Sequence, residues 1–202
     1  MSTKLKIAAA VAAAVLLSAC SSPKHEPMPL VNFTPSMEVT EVWSKGLSSA
    51  EGFLVPAVYD DMVFAAGGKT LTRLNARTGE TEWSVSFDSP ITGGVGSDGY
   101  LTAVGLWDGN LEVVDAEGKV SWEKKLTTEL ASPPVVSHGL VFARTMDTRV
   151  SAFEASSGEL QWTYQKSQPA LTVRLPTRML AHDNFLLVGQ PNGHIVILDI
   201  AS

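Results

Sequence analysis

An all-β fold, a β-propeller of four-stranded antiparallel blades, is the class this sequence predicts, and three observations predict it. Trp43, Trp83, Trp122 and Trp162 follow one another at intervals of 40, 39 and 40 residues, a period that marks a repeat architecture. The last three share their surroundings: Gly79-Glu80-Thr81-Glu82-Trp83, Gly118-Lys119-Val120-Ser121-Trp122 and Gly158-Glu159-Leu160-Gln161-Trp162. Within each repeat the apolar residues alternate with a period of two rather than 3.6, as half-buried strands do. Trp107 falls out of register and is no part of the ruler.

The chain opens with Lys4 and Lys6 and no acid, then runs apolar from Ile7 to Leu17. Eleven residues at about 1.5 Å each span about half of a ~30 Å hydrocarbon core, too short for a spanning helix and right for a signal peptide. The run ends in Leu17-Ser18-Ala19-Cys20, which resembles the lipobox of bacterial lipoproteins. That resemblance implies diacylglycerol on the Cys20 thiol and cleavage that makes Cys20 the new N-terminus, with residues 1–19 as the signal peptide. Several acyl chains on one residue suffice for stable anchoring to a membrane. Ser21 and Ser22 follow the cysteine where an Asp would resemble an inner-membrane retention signal. The implied location is the periplasmic face of the outer membrane. No second cysteine exists, so no intrachain disulfide forms.

Residues 20–40 read as an extended tether, with Pro23, Pro27, Pro29 and Pro35 among polar neighbours. The folded part spans 41–202. Met62-Val63-Phe64-Ala65-Ala66 and Leu140-Val141-Phe142-Ala143 are short apolar runs bounded by turn residues. Asp98-Gly99, Asp108-Gly109, His138-Gly139 and Asn192-Gly193 supply the positive φ that tight hairpins need. Upstream of each repeat glycine lies an alternating strand: Leu71 to Ala76, Leu111 to Ala116, Val150 to Ala155. A Trp packed between blades removes roughly 150–250 Å² from water, an upper estimate of about 4–6 kcal/mol. The strands add up to one closing strand at Trp43, three full blades and three strands of a fourth, because Gly193 to Ser202 match a third strand and the start of its turn. The chain is therefore expected to be the N-terminal portion of a longer propeller.

The turn-Gly-x-x-x-Trp unit resembles the repeat of pyrroloquinoline-quinone enzymes and their non-catalytic relatives. Within that group the lipobox, the short tether and the repeat spacing resemble the BamB family, lipoprotein subunits of the outer-membrane β-barrel assembly machine. The resemblance runs from Cys20 to the last residue. It implies an eight-bladed propeller of which about half is present, with BamA and the other subunits as partners and nascent outer membrane proteins as clients. Pro169-Ala170-Leu171-Thr172-Val173-Arg174 resembles the segment by which this family touches BamA, with Leu171, Val173 and Arg174 at the contacting positions. The family commonly has Leu where Val173 stands. Taken without the resemblance, the same stretch also reads as a strand with its apolar residues in the core and Arg174 merely solvated. The family's second contact segment, carrying paired aspartates in a later blade, would lie beyond Ser202.

Formal net charge is −6, and −8 once residues 1–19 leave with their two lysines and no acid. An acidic surface disfavours nucleic acid and suits a partner with a basic patch. A quinoprotein dehydrogenase is the enzymatic alternative, but it needs a calcium site, a catalytic Asp and often an adjacent cysteine pair. Asp60-Asp61 and Asp115 fall in predicted turns, and no Cys-Cys pair exists. His25, His138, His182 and His194 lack metal-binding spacing, with His138 and His182 read as turn residues. Gly93-Gly94-Val95-Gly96 lacks the helix and Lys-Ser/Thr of a phosphate loop and reads as a crowded inner strand. No GxSxG elbow is present. A generic carbohydrate- or peptide-binding propeller would use exposed loop aromatics, and Trp107, which also reads as a hairpin cap, is the candidate. The expectation is a non-catalytic scaffold with no cofactor and no metal.

Overall fold

The computed structural model describes residues 28–48, 54–166, 177–190 and 192–201. The chain divides into two units, Met1–Thr40 and Glu41–Ser202. In the first, residues 28–40 carry no strand or helix and are exposed throughout, apolar Leu30 and Phe33 included.

The second unit is all β among its described residues. Blade 1 comprises β1 (Ala57–Tyr59), β2 (Met62–Gly67), β3 (Thr70–Asn75) and β4 (Thr81–Ser86). Blade 2 comprises β5 (Ile91–Ser97), β6 (Thr102–Leu106), β7 (Asn110–Val114) and β8 (Val120–Lys125). Blade 3 comprises β9 (Val135–Ser137), β10 (Leu140–Arg144), β11 (Val150–Glu154) and β12 (Leu160–Tyr164). A fourth sheet holds β13 (Leu180–His182), β14 (Phe185–Gly189) and β15 (Ile195–Asp199). Every sheet is antiparallel with its strands in chain order. Turn chemistry sets the hairpins: Ser137 pairs with Leu140 across His138 and Gly139, whose φ values of 55° and 72° suit a two-residue turn. His182, likewise read as a turn residue, instead closes β13, and Asp183 next to it takes the positive φ of 48°.

The core is divided into three layers, one between each pair of neighbouring sheets. Phe64, Leu71, Ile91 and Val104 fill the first with Trp83, and Leu111, Val113, Val141 and Phe153 fill the second with Trp122. Phe142, Val150, Leu186 and Val188 fill the third with Trp162. Each of these indoles leans on a phenylalanine, with ring centroids 6.1 Å apart for Phe64–Trp83, 6.2 Å for Trp122–Phe153 and 5.8 Å for Phe142–Trp162.

The repeat motif has a mechanical explanation. Trp43, Trp83 and Trp122 donate their Nε1–H to the carbonyls of Ala76, Ala116 and Ala155, at 2.8, 2.9 and 2.8 Å. Trp162 does the same to Ile200 at 2.9 Å. A Cβ on Gly79, Gly118 or Gly158 would stand 2.6, 3.0 or 2.7 Å from Cδ2 of Trp43, Trp83 or Trp122. The glycine of one repeat is therefore the floor on which the preceding tryptophan lies. In each full blade the register also slips once beside the tryptophan, between Arg73 and Leu74, Val113 and Val114, and Ala152 and Phe153. Glu82, Ser121 and Gln161 are thus bulged residues, and a bulge bends the strand and re-aims its side chains.

Trp43, expected on a closing strand, lies outside the named strands. Strand geometry needs a ladder partner, and residues 41–48 have none among the described residues. The indole is held by its hydrogen bond and by Gly79 instead.

Candidate functional site

β3, β7, β11 and β15 begin at Thr70, Asn110, Val150 and Ile195, so the repeat steps by 40, 40 and then 45 residues. The five additional residues fall in the connection between β12 and β13. Leu171, Val173 and Arg174 belong to that connection and lie outside the described residues, as does Cys20.

The two ends of the connection are described. Before it, Arg149 Nη2 donates to Gln165 Oε1 at 3.2 Å and Thr148 Oγ1 donates to the Lys166 carbonyl at 3.3 Å. After it, Arg144 Nη1 donates to Thr177 Oγ1 at 2.7 Å, and that hydroxyl donates to the Gly189 carbonyl at 3.3 Å. Arg144 is 4 % exposed, its Nε has no hydrogen-bond partner among the described residues, and burial lowers the proton affinity of its guanidinium. In the turn that follows β10, burial pushes the Asp147 carboxyl up. Hydrogen bonds from Thr145, Thr127 and the Arg149 backbone, with the Arg149 charge, outweigh that and hold it below the usual carboxylate range.

Trp107 occupies the β6–β7 turn, 63 % exposed, where its backbone N–H donates to the Pro90 carbonyl at 2.8 Å. Its indole lines an open recess with Thr128, Glu129, Met146 and Asp147. The glycines of β5 are crowded as expected: a Cβ on Gly93 would stand 2.8 Å from Leu130 Cβ, and one on Gly96 would fall on the Pro134 carbonyl. Among the described residues no group of three or more His, Cys, Asp or Glu side chains is placed to hold a metal ion. No helix among them is long and apolar enough to cross a membrane.

A family profile described as outer membrane protein assembly factor BamB matches residues 67–202. The outer membrane protein assembly factor BamB of Burkholderia pseudomallei (strain K96243) is 37 % identical over 198 residues, covering 95 % of this chain and 52 % of that protein. The BamB of Bordetella pertussis is 32 % identical over 193 residues, covering 92 % of this chain and 50 % of the relative. The crystal structure of BamB from Moraxella catarrhalis superposes with a TM-score of 0.66 at 27 % identity, over 73 % of this chain and 46 % of the other. The chain spans about half the length of the curated relatives it matches.

Proposed function

Since this chain belongs to the BamB family of outer membrane protein assembly factors, we propose that it is a non-catalytic scaffold that binds BamA within the β-barrel assembly complex. In that role it assists nascent outer membrane proteins to fold and insert, alongside the complex's other subunits. The protein is held at the periplasmic face of the outer membrane by lipid on Cys20. BamA is engaged through Leu171, Val173 and Arg174.

The observation that carries the reading is the connection between β12 and β13. A propeller of tightly repeating blades has no packing need for five additional residues there, and loops that depart from a rigid scaffold are where binding residues concentrate. Arg beside two aliphatic residues is interface chemistry, since its planar donor fork suits carboxylates and carbonyls and Arg is enriched at hot spots. Supporting the scaffold role, each inter-blade layer is closed by an indole locked to a backbone carbonyl, which gives a stiff platform rather than a cleft. Pull-down of the lipoprotein from detergent-solubilised envelope, read by mass spectrometry, tests it: BamA is expected among the recovered proteins, and its absence contradicts the reading.

A further inference from the structure

Trp107 breaks the pattern that the other four tryptophans keep. Trp43, Trp83, Trp122 and Trp162 each commit their indole N–H to a backbone carbonyl. Trp107 stands exposed, and its indole N–H has no hydrogen-bond partner among the described residues. A lone exposed aromatic is ordinary; what marks this one is its setting.

The setting comes from the repeat. Trp107 and Met146 occupy the same place in the β6–β7 and β10–β11 turns: the Trp107 N–H donates to the Pro90 carbonyl at 2.8 Å, and the Met146 N–H to the Glu129 carbonyl at 3.0 Å. Two residues on, Gly109 and Thr148 close the turns with matching hydrogen bonds, to Leu106 at 3.0 Å and Thr145 at 2.9 Å. Neighbouring blades thus each carry an apolar residue followed by an aspartate, Trp107-Asp108 and Met146-Asp147. Thr128 and Glu129, from the connection between β8 and β9, complete a recess of about 460 Å³ with the two turns. Both blades are complete four-stranded sheets.

The walls of the recess are acidic, and part of that charge is unmatched. Asp108 accepts from the backbone N–H and the side-chain amide of Asn110 at 3.1 and 3.2 Å, both neutral donors, while Lys125 donates to the Asp108 carbonyl rather than to its carboxylate. Asp147 accepts from Thr127 and Thr145 and lies 3.8 Å from Arg149, which meets part of its charge. Glu129 is half-buried, and its carboxylate has neither a hydrogen bond nor an ion pair among the described residues. Two cations beside three carboxylates leave the recess negative, and Glu129 is the acid that neither of them neutralises. No three acids among the described residues are set closely enough to hold a metal ion, so a compact dication is not the counter-charge this shape favours.

An indole face, a thioether and a carboxylate together suit a guanidinium. It stacks on the ring, its stem packs on apolar atoms, and its planar fork meets the carboxylate. We propose that this recess takes an arginine side chain presented by a partner protein, with Trp107 as the stacking platform and Glu129 as the counter-charge. None of its residues belongs to the β12–β13 connection, so the site does not depend on Leu171, Val173 or Arg174.

The test uses the complete lipoprotein labelled with 5-fluorotryptophan, its Trp107 fluorine signal identified by loss in Trp107→Phe. The probes are two capped pentapeptides, one with arginine between glycine pairs and one with citrulline there, which keeps the shape of arginine without its charge. The arginine peptide is expected to shift the Trp107 signal saturably, and the citrulline peptide to leave it in place. Glu129→Gln is expected to weaken the arginine peptide roughly fivefold with the melting temperature unchanged. Glu117→Gln removes the same charge from the exposed β7–β8 turn and is expected to leave binding as it was. No saturable shift with the arginine peptide overturns the proposal, and so does an equal shift with citrulline, which makes the recess an apolar surface only. Binding that Glu129→Gln leaves intact overturns it too. Equal weakening by Glu129→Gln and Glu117→Gln does the same, because it reduces the effect to the general attraction of an acidic protein for a cation.

Discussion

Gly158 is the bed of Trp122: a Cβ added to Gly158 would stand 2.7 Å from both Cδ2 and Cε3 of the indole, whose N–H donates to the Ala155 carbonyl at 2.8 Å. The recurring spacing within a repeat therefore encodes contact between repeats, since the glycine belongs to one blade and the indole to the blade before it. Trp122→Ala is expected to cost about 3–5 kcal/mol in denaturant unfolding. Gly158→Ala adds a clash to a residue at φ 70° and is expected to cost about 1–3 kcal/mol. In the Trp122→Ala background the clash vanishes and only the backbone cost of Gly158→Ala remains. A full Gly158→Ala penalty in that background contradicts the contact.

Trp43 offers a graded version of the same test. It keeps the hydrogen bond to Ala76 and the bed at Gly79, but among the described residues no phenylalanine stacks against it as one does against each of the other three indoles. Trp43→Ala is therefore expected to cost on the order of 2 kcal/mol, below Trp122→Ala. Thermal unfolding of both variants side by side measures the difference, and no loss at Trp43 would mean the indole is not engaged.

Blade 2 carries a pH-dependent liability. At one cross-strand site, with its inner residue buried and its outer-strand partner exposed, blade 1 pairs Thr72 with Ser84 and blade 3 pairs Ser151 with Thr163, hydroxyl to hydroxyl at 3.1 and 3.2 Å. Blade 2 places Glu112 opposite Glu123 there, with Glu112 8 % exposed. Burial, then the charges of Glu123, Asp108 and Asp88, raise the Glu112 carboxyl above the ordinary glutamate range. A raised folded pKa means the folded state holds its proton more tightly than the unfolded chain. The associated stability is fully present below the ordinary glutamate value and is lost as pH rises through the folded one. Glu112→Gln removes that loss, so the variant is expected to gain melting temperature over the wild type as pH rises above the ordinary glutamate range. Parallel pH profiles for the two proteins would rule the liability out.

Lipidation is open to a direct check. Leu17-Ser18-Ala19-Cys20 predicts that labelled palmitate enters the protein and that Cys20→Ser abolishes the label. A wild-type protein that stays unlabelled and washes free in the periplasm contradicts the anchor.

The blade architecture was legible in the sequence because the signal recurs: four tryptophans at a near-constant period, glycines four residues upstream of three of them, and turn dipeptides where the hairpins stand. The indoles were readable as inter-blade packing from area alone. Less legible was what each residue touches. Alternation with a period of two assumes an unbroken ladder, so the bulges at Glu82, Ser121 and Gln161 were invisible, as was the reason for the glycine. Trp43 keeps the period and so predicts a strand, and its indole is held by a hydrogen bond to Ala76 from outside the named strands. Arg144 and Thr148 are illegible in the sequence for a different reason. They stand where blade 2 has Gly105 and Gly109, and that comparison needs the register between sheets, which spacing alone does not give.

Titration calorimetry of BamA's periplasmic portion against the complete lipoprotein, wild type and Arg174→Glu, tests the scaffold reading most directly when run beside a melting curve. The account predicts that Arg174→Glu weakens binding by roughly 1–4 kcal/mol, with a melting temperature close to that of the wild type. An Arg174→Glu protein that folds normally and binds BamA with undiminished affinity would contradict it.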